Sequence, residues 1–182
     1  MKKLHELDAD HVLRIRNAWQ KEAEKYGEAA DYLDAAVCHA GSLKGEDDGA
    51  YHGVLNTGDG CLMLAHVRAV MLPGDHHLTL RCGPIVTCPE LQFERNDLWV
   101  LNRFMTAYTA LVKGVMLEAH RRGLDQVRIY SPKEVHPHFW NGMLVLFRTE
   151  DITVNDTVLH EIEMQGNWAV IFDKSRHDEA HA

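Results

Sequence analysis

The sequence predicts a single α/β domain, an α+β arrangement with one mixed sheet, and three observations support this. Three apolar segments separated by short turn-forming connections, Tyr51–Asn56, Cys61–Leu72 and His76–Thr87, are typical of an antiparallel meander. The longest stretch with helical periodicity follows, from Asp97 to Arg122. The chain then closes with a second hairpin pattern, so we expect strands both before and after one long helix in the sequence.

The N-terminal part predicts a short strand followed by two helices. Lys2–Leu7 alternates weakly between apolar and polar residues, and Asp8 or Asp10 can cap a helix whose apolar residues recur every three or four positions. We expect that helix to end at Gly27 and a second, short helix to run from Glu28 to about Ala40.

The C-terminal part predicts a strand, an irregular helix and a hairpin. Leu124–Tyr130 has the pattern of a buried strand, whereas Glu134–Phe147 is apolar but interrupted by proline and glycine. Val158–Met164 and Trp168–Phe172 are expected to form the closing hairpin. Together these elements predict one domain over residues 1–174 and a polar tail at 175–182.

Composition argues against several classes of function. The formal net charge is -8 and the sequence has no run rich in lysine and arginine, so we expect no nucleic-acid partner. No segment approaches the roughly 20 apolar residues of a membrane span, and we expect a cytoplasmic protein. Four scattered cysteines without a CxxC pair, Cys38, Cys61, Cys82 and Cys88, predict buried reduced thiols.

Motifs for other chemistries are weak. His136, His138, His76, His77 and Glu134 could supply metal ligands, but their spacing is not diagnostic, so we expect solvated loop histidines and no metal. No serine elbow, phosphate loop or dinucleotide fingerprint follows a predicted strand.

The order strand, two helices, meander, long helix, strand, short helix, hairpin resembles the GNAT superfamily of N-acyltransferases over nearly the whole chain. The resemblance implies a GNAT-like fold with a parallel central strand pair, an acyl-CoA cofactor such as acetyl-CoA, and an amine substrate. It also makes a homodimer an option, although no residue argues for one specifically. Fold alone does not give function.

The family's phosphate loop, Gln/Arg-x-x-Gly-x-Gly/Ala, matches the segment from Val86 through Gln92 to Leu98 in frame, but Arg95 and Asp97 replace the two glycines. Glycine suits these positions because the backbone amides must close on the cofactor pyrophosphate at a helix N-terminus. The Asp97 carboxylate would repel a phosphate and is a good helix N-cap, whereas the Arg95 guanidinium could contact phosphate instead.

The resemblance also implies roles for other residues. The strand pair beside the long helix would splay, and three consecutive residues would offer backbone groups to the pantetheine arm: Ile85, Val86 and Thr87. Gln92, Arg95 and Asn96 would meet the pyrophosphate.

Two histidines are candidates for proton transfer. His138 occupies the position of the family's general-acid tyrosine if Gly142-Met143 is aligned with the family's Gly-Phe pair. His77 is the candidate base, although strand alternation allows only one of His76 and His77 to face a cleft, and both could be hydrated turn residues. Two functions follow: an N-acyltransferase, or a non-catalytic GNAT-fold protein whose acidic surface binds a protein partner.

Overall fold

The computed structural model contains one mixed seven-stranded sheet in the order β1-β2-β3-β4-β5-β7-β6. The strands are β1 (Leu4–Leu7), β2 (Ala50–Leu55), β3 (Cys61–Met71), β4 (Leu78–Thr87), β5 (Gln126–Tyr130), β6 (His160–Gln165) and β7 (Trp168–Asp173). The helices are α1 (Ala9–Ala23), α2 (Pro89–Phe93) and α3 (Leu98–Arg121), with a 3-10 turn at Glu24–Tyr26. The predicted fold class is confirmed.

The structure describes residues 4–27, 49–56, 60–71, 78–94, 97–124, 126–131, 139–143, 145 and 160–173. The predicted helix from Glu28 to Ala40 and the predicted tail at 175–182 lie outside these ranges. The chain divides into two compact units: unit 1 comprises Met1–Arg68 and Gly83–Gly114, and unit 2 comprises Ala69–Cys82 and Val115–Ala182. The single domain over 1–174 stays a prediction.

Helix α1 of unit 1 begins and ends where the sequence indicates. Asp8 is the N-cap, and its Oδ1 accepts a 2.8 Å hydrogen bond from the backbone N–H of His11. The apolar stripe predicted from the three-to-four spacing is buried, with Trp19 at 3% exposure. Gly27, at φ 74°, follows the 3-10 turn because the left-handed conformation there costs glycine little.

The N-terminal strands of unit 1 pair antiparallel, from Leu4↔Val54 in β1 and β2 to Ala50↔Val67 in β2 and β3. Helix α3 lies very close to β1, because a Cβ added to Gly114 would be only 2.3 Å from the Cβ of Leu4. Glycine is therefore required at this contact by packing, despite its poor helix propensity.

Helix α2 is an element that the sequence analysis did not predict. Cys88 precedes it in an extended conformation, Pro89 fills its first turn, and Leu91 is fully buried. Proline at this position is favourable because the first helical amides have no intrahelical partner. A helix of five residues is too short to show a hydrophobic period, which is why periodicity missed it.

Unit 2 contains a mixed section of sheet. The first half of β4 pairs parallel with β5, and β7 pairs antiparallel with both β5 and β6. The side chains on one face of this section are apolar, and each of these residues is at most 5% exposed. They are Leu80, Cys82, Val127, Ile129, Ala169 and Ile171. This burial holds the C-terminal strands together.

The C-terminal end of α3 explains why strand β5 begins later than the sequence predicts. Gly123 has φ 68°, and the N–H of Leu124 donates to the carbonyl of Ala119 at 2.9 Å, as in a Schellman motif. Leu124 therefore belongs to the helix end, and β5 begins at Gln126, not at the predicted Leu124. Of the irregular helix predicted over Glu134–Phe147, residues 139–143 are helical. No helix in the described part is long and apolar enough to cross a membrane.

Candidate acyl-CoA site

The end of β4 positions the residues expected to contact the pantetheine arm. Val86 and Thr87 are 7% and 6% exposed, and Ile85 is half-buried. The backbone N–H of Cys88 donates to the carbonyl of Leu62 in β3 at 2.9 Å, which fixes this end of the strand. These three residues therefore lie on a rigid strand end, beside the start of α2.

Gln92 is the described member of the expected pyrophosphate contacts. The Thr87 hydroxyl donates to Gln92 Oε1 at 3.2 Å, and the Gln92 backbone N–H donates to the carbonyl of Cys88 at 3.1 Å. The structure thus brings Thr87 and Gln92 together. Two further predicted contacts, Arg95 and Asn96, lie outside the described residues.

Asp97 caps helix α3. Its Oδ1 accepts a 2.7 Å hydrogen bond from the backbone N–H of Trp99, and its carbonyl accepts one of 2.9 Å from Leu101. The interpretation of Asp97 as an N-cap is therefore correct. Its carboxylate occupies the helix N-terminus, where the dipole would otherwise favour a phosphate, so this terminus already carries its own anion.

The residues around this loop are acidic and largely paired. The Tyr26 hydroxyl donates to Glu94 at 2.5 Å, and this hydrogen bond, ahead of burial, raises the pKa of Tyr26 to about 12. Arg103 forms a 2.5 Å ion pair with Glu90 and lies 4.5 Å from the ring centroid of Trp99. The Arg103 charge is therefore already compensated next to the loop.

The parallel pairing of β4 with β5 stops before β4 does. The register runs from Thr79↔Gln126 to Cys82↔Ile129, whereas β4 continues to Thr87. Pro84, which has no amide hydrogen, lies two residues beyond Cys82, the last paired residue of β4. Pro84 was not singled out from the sequence, although a proline inside a predicted strand is a recognised sign of interrupted pairing.

The two predicted proton-transfer residues, His138 and His77, lie outside the described residues, so their roles stay predictions. Trp140, on the helical turn 139–143, is 2% exposed, and its indole N–H donates to the Ser131 hydroxyl at 3.0 Å. The backbone N–H of Ser131 donates to the carbonyl of Asn167 at 2.8 Å. Trp140 therefore anchors the turn structurally.

Two buried histidines of the meander were not singled out from the sequence. His52 and His66 are each 4% exposed, and the register Tyr51↔His66 and His52↔Ala65 places them on opposite faces of the sheet. The His66 ring lies 5.0 Å from that of Tyr51. A histidine inside an otherwise apolar strand pattern was the signal available.

The described cysteines are buried and free, as predicted. Burial is the first cause that raises the pKa of Cys61 and Cys82 to about 12 and that of Cys88 to about 11. These thiols are therefore protonated at neutral pH and poor nucleophiles. Cys38 lies outside the described residues, and those described contain no cluster of three potential metal ligands.

Solved structures of similar topology have low identity to this chain. A candidate acetyltransferase from Exiguobacterium sp. 255-15 is 16% identical, with 100% of this chain and 99% of that chain covered and a TM-score of 0.48. An acetyltransferase from Streptococcus agalactiae 2603 is 12% identical, covering 94% and 97%, with a TM-score of 0.45. A transcriptional regulator from Bacillus halodurans C-125 is 10% identical, covering 91% and 100%, with a TM-score of 0.46.

No family model and no curated protein matches the sequence. The fold is therefore defined by the order and the pairing of the chain's own elements. The meander, the long helix that follows it, the parallel β4–β5 pair and the closing β6–β7 hairpin give this chain a GNAT-like fold.

Proposed function

We propose that this protein is an N-acyltransferase that transfers an acyl group from acyl-CoA, such as acetyl-CoA, to an amine. The observation that supports this best is the early end of the β4–β5 register at Cys82↔Ile129. The remaining section of β4 lies beyond that pairing and extends to Thr87.

The pantetheine arm would lie along Ile85, Val86 and Thr87. An extended ligand with two amide groups can bond to a strand in the way that a peptide adds to a sheet, with main-chain groups supplying most of the affinity. The burial of Val86 and Thr87 and the hydrogen bond from Thr87 to Gln92 support this placement because they hold the strand end rigid.

The pyrophosphate would be bound less tightly than by a glycine loop. The Asp97 carboxylate caps α3, and therefore the amides at the helix start are not available as in a phosphate-binding N-terminus. We propose that Gln92, Arg95 and Asn96 contact the phosphates, with Arg95 supplying the positive charge. A guanidinium can hold a phosphate through two parallel hydrogen bonds.

The reaction needs two proton transfers. The amine attacks the thioester carbonyl, a base accepts the proton that the amine loses, and the CoA thiolate that leaves is protonated. We propose His77 as the base and His138 as the proton donor. An imidazole can serve in either step because histidine changes its protonation near neutral pH.

A non-catalytic GNAT-fold protein that binds a protein partner is the second candidate. It is favoured by the Asp97 cap and by the acidic residues Glu90 and Glu94 beside the same loop. In this case the loop would be structural and would not bind a phosphate. The cytoplasmic location and the homodimer stay predictions under either function.

Titrating acetyl-CoA and S-acetylpantetheine against thermal stability separates the two functions. Saturation at about 100 times the dissociation constant should stabilise the protein by roughly 2.7 kcal/mol. We expect both ligands to stabilise the protein. Arg95→Ala should weaken the binding of acetyl-CoA but not that of S-acetylpantetheine, because S-acetylpantetheine has no pyrophosphate. Arg14→Ala, at an exposed position of α1, is the matched control.

Three results would contradict the proposal. No stabilisation by either ligand at millimolar concentration would reject the acyltransferase. Equal weakening of both ligands by Arg95→Ala would place Arg95 elsewhere than at the phosphates. Tight binding of acetyl-CoA without transfer to any of a panel of primary amines would contradict the transfer of an acyl group to an amine.

A further inference from the structure

Trp99 is an exposed tryptophan at the start of α3. It is the second residue of that helix and is 60% exposed, whereas Trp19 and Trp140 are buried. Leu98 and Leu101, in the same turn of the helix, are exposed as well. Large apolar side chains that cluster at a surface are typical of a place where a ligand or a partner binds. The indole of Trp99 is the largest of these groups.

The side chain of Arg103 holds this ring in place from one side. Its guanidinium carbon lies 4.5 Å from the ring centroid of Trp99, one turn of helix earlier in the chain. Arg103 also forms a 2.5 Å ion pair with Glu90 of α2, which fixes the position of the guanidinium. The indole is therefore held before any ligand arrives, and a ligand that stacks on it loses less conformational entropy.

The opposite face of the indole is exposed. A guanidinium can cover only one face of a ring, and Trp99 is 60% exposed with Arg103 in contact. Two stacked aromatic rings repel each other where the negative faces of their π systems meet. Because the Arg103 charge draws the electrons of the indole towards itself, this repulsion is reduced on the exposed face. That face therefore suits a flat aromatic ligand.

Trp99 directly follows the segment proposed to meet the pyrophosphate. Its backbone N–H donates to Asp97 Oδ1 at 2.7 Å, and the backbone N–H of Asp97 donates to the carbonyl of Glu94 at 3.0 Å. These two hydrogen bonds connect the start of α3 to the end of α2, which carries Gln92. In acyl-CoA a single ribose separates the adenine from the pyrophosphate. An adenine ring on Trp99 is therefore compatible with a pyrophosphate bound between Gln92 and Asp97.

We propose that the exposed face of Trp99 stacks against the adenine ring of acyl-CoA, an inference that rests on the proposed acyltransferase function. Adenine is uncharged at neutral pH, so the Asp97 carboxylate, which repels a phosphate, does not repel this ring. Stacking of a base on an aromatic side chain also needs no backbone amides. It therefore supplies affinity that the phosphate loop loses by carrying Arg95 and Asp97 in place of two glycines.

The two halves of the cofactor serve as separate probes. Adenosine 3′,5′-bisphosphate carries the adenine, S-acetylpantetheine carries the thioester, and acetyl-CoA combines the two parts. Each probe is titrated by calorimetry into the wild type, Trp99→Ala, Trp99→Phe and Leu13→Ala, with indole fluorescence followed in parallel. Leu13→Ala is the matched control, because Leu13 is a large apolar residue of α1 with a similar exposure of 53%. ATP is titrated as a free nucleotide.

Trp99→Ala should weaken the binding of acetyl-CoA and of the bisphosphate by at least about fivefold, since the stacking of one base is lost. The affinity for S-acetylpantetheine should not change, because this probe has no adenine. Trp99→Phe keeps an aromatic ring and should lose less affinity than Trp99→Ala. The bisphosphate should quench the fluorescence of the wild type and of Leu13→Ala but not that of Trp99→Phe, which lacks the stacked indole.

The inference is overturned if Trp99→Ala binds acetyl-CoA as tightly as the wild type does. It is also overturned if Trp99→Ala weakens S-acetylpantetheine to the same extent, because a purely structural ring would affect both halves of the cofactor. Failure of the acyltransferase proposal gives a different result, in which neither acetyl-CoA nor S-acetylpantetheine binds to the wild type. Binding of the bisphosphate or ATP through Trp99 in that case, or tighter binding of ATP than of acetyl-CoA, would assign the ring to a free nucleotide.

Discussion

Replacing Asp97 with asparagine tests how the α3 N-terminus affects the cofactor. The asparagine side chain can still accept the hydrogen bond that Asp97 takes from Trp99 at 2.7 Å, so the cap is preserved. Only the negative charge is lost. A phosphate at this helix end would lie about 5 Å from the carboxylate, and in water two unit charges at that distance repel by about 0.8 kcal/mol.

That repulsion corresponds to an approximately fourfold change in affinity for each phosphate charge near Asp97. We therefore expect Asp97→Asn to bind acetyl-CoA about fourfold more tightly at low salt. The gain should shrink near 0.15 M salt, where the screening length falls to about 8 Å. The variant itself should lose about 0.3–1 kcal/mol of stability, because the favourable interaction of the carboxylate with the helix dipole is removed.

Isothermal titration calorimetry at two salt concentrations measures this effect. Asp10→Asn is the matched control, because Asp10 is an exposed carboxylate in the first turn of α1 and the substitution changes the net charge equally. The reasoning is refuted if both variants change the affinity equally, or if Asp97→Asn binds acetyl-CoA more weakly than the wild type. Either result would mean that the pyrophosphate does not approach the start of α3.

Two further predictions concern stability. Gly114→Ala should destabilise the protein by about 1–3 kcal/mol, because the new Cβ would lie 2.3 Å from that of Leu4, whereas Gly142→Ala, with nothing within 4 Å, should be neutral or stabilising in urea unfolding; equal effects would contradict the close contact. Hydrogen bonds from Arg121, the larger cause, and from Arg122 lower the pKa of Glu118 to about 2 from 4.5. Since this pKa is depressed on folding, the stabilisation is complete above pH 4.5 and is lost as the pH falls through 2. Glu118→Gln should therefore cost about 1 kcal/mol at pH 7 and progressively less as the pH falls towards 2; a loss independent of pH would exclude an ionic origin.

Local signals in the sequence located the elements and their ends. Asp8 and Asp97 were identified as caps because an aspartate bonds to amides two or three residues ahead, which is a relation within one turn of helix. Gly27 and the long apolar stripe of α3 were also recognisable, because a helix end and a helical period are properties of a short stretch of chain. The position of the candidate cofactor segment, Val86 to Gln92, also followed from the chain order, since β4 ends at Thr87 and α2 begins at Pro89.

Local sequence patterns could not predict where the pairing between two strands begins and ends. A strand pair that separates was expected from the family resemblance, but the last paired residues, Cys82 and Ile129, are known only from the register. Register depends on which strands meet and on the burial of one whole face, neither of which is a property of a short segment. The proline after the paired section was visible in the sequence, yet its meaning depended on the neighbouring strand.

The sequence by itself therefore determined the order of the strands and of the two long helices, the caps and the erosion of the phosphate loop at Arg95 and Asp97. Only the tertiary structure gave the end of the β4–β5 register at Cys82 and Ile129 and brought Arg81 next to Arg128. The physical reason is the range of the interactions. Periodicity and capping act within a few residues of chain, whereas strand pairing joins residues distant in sequence that share a face of the sheet.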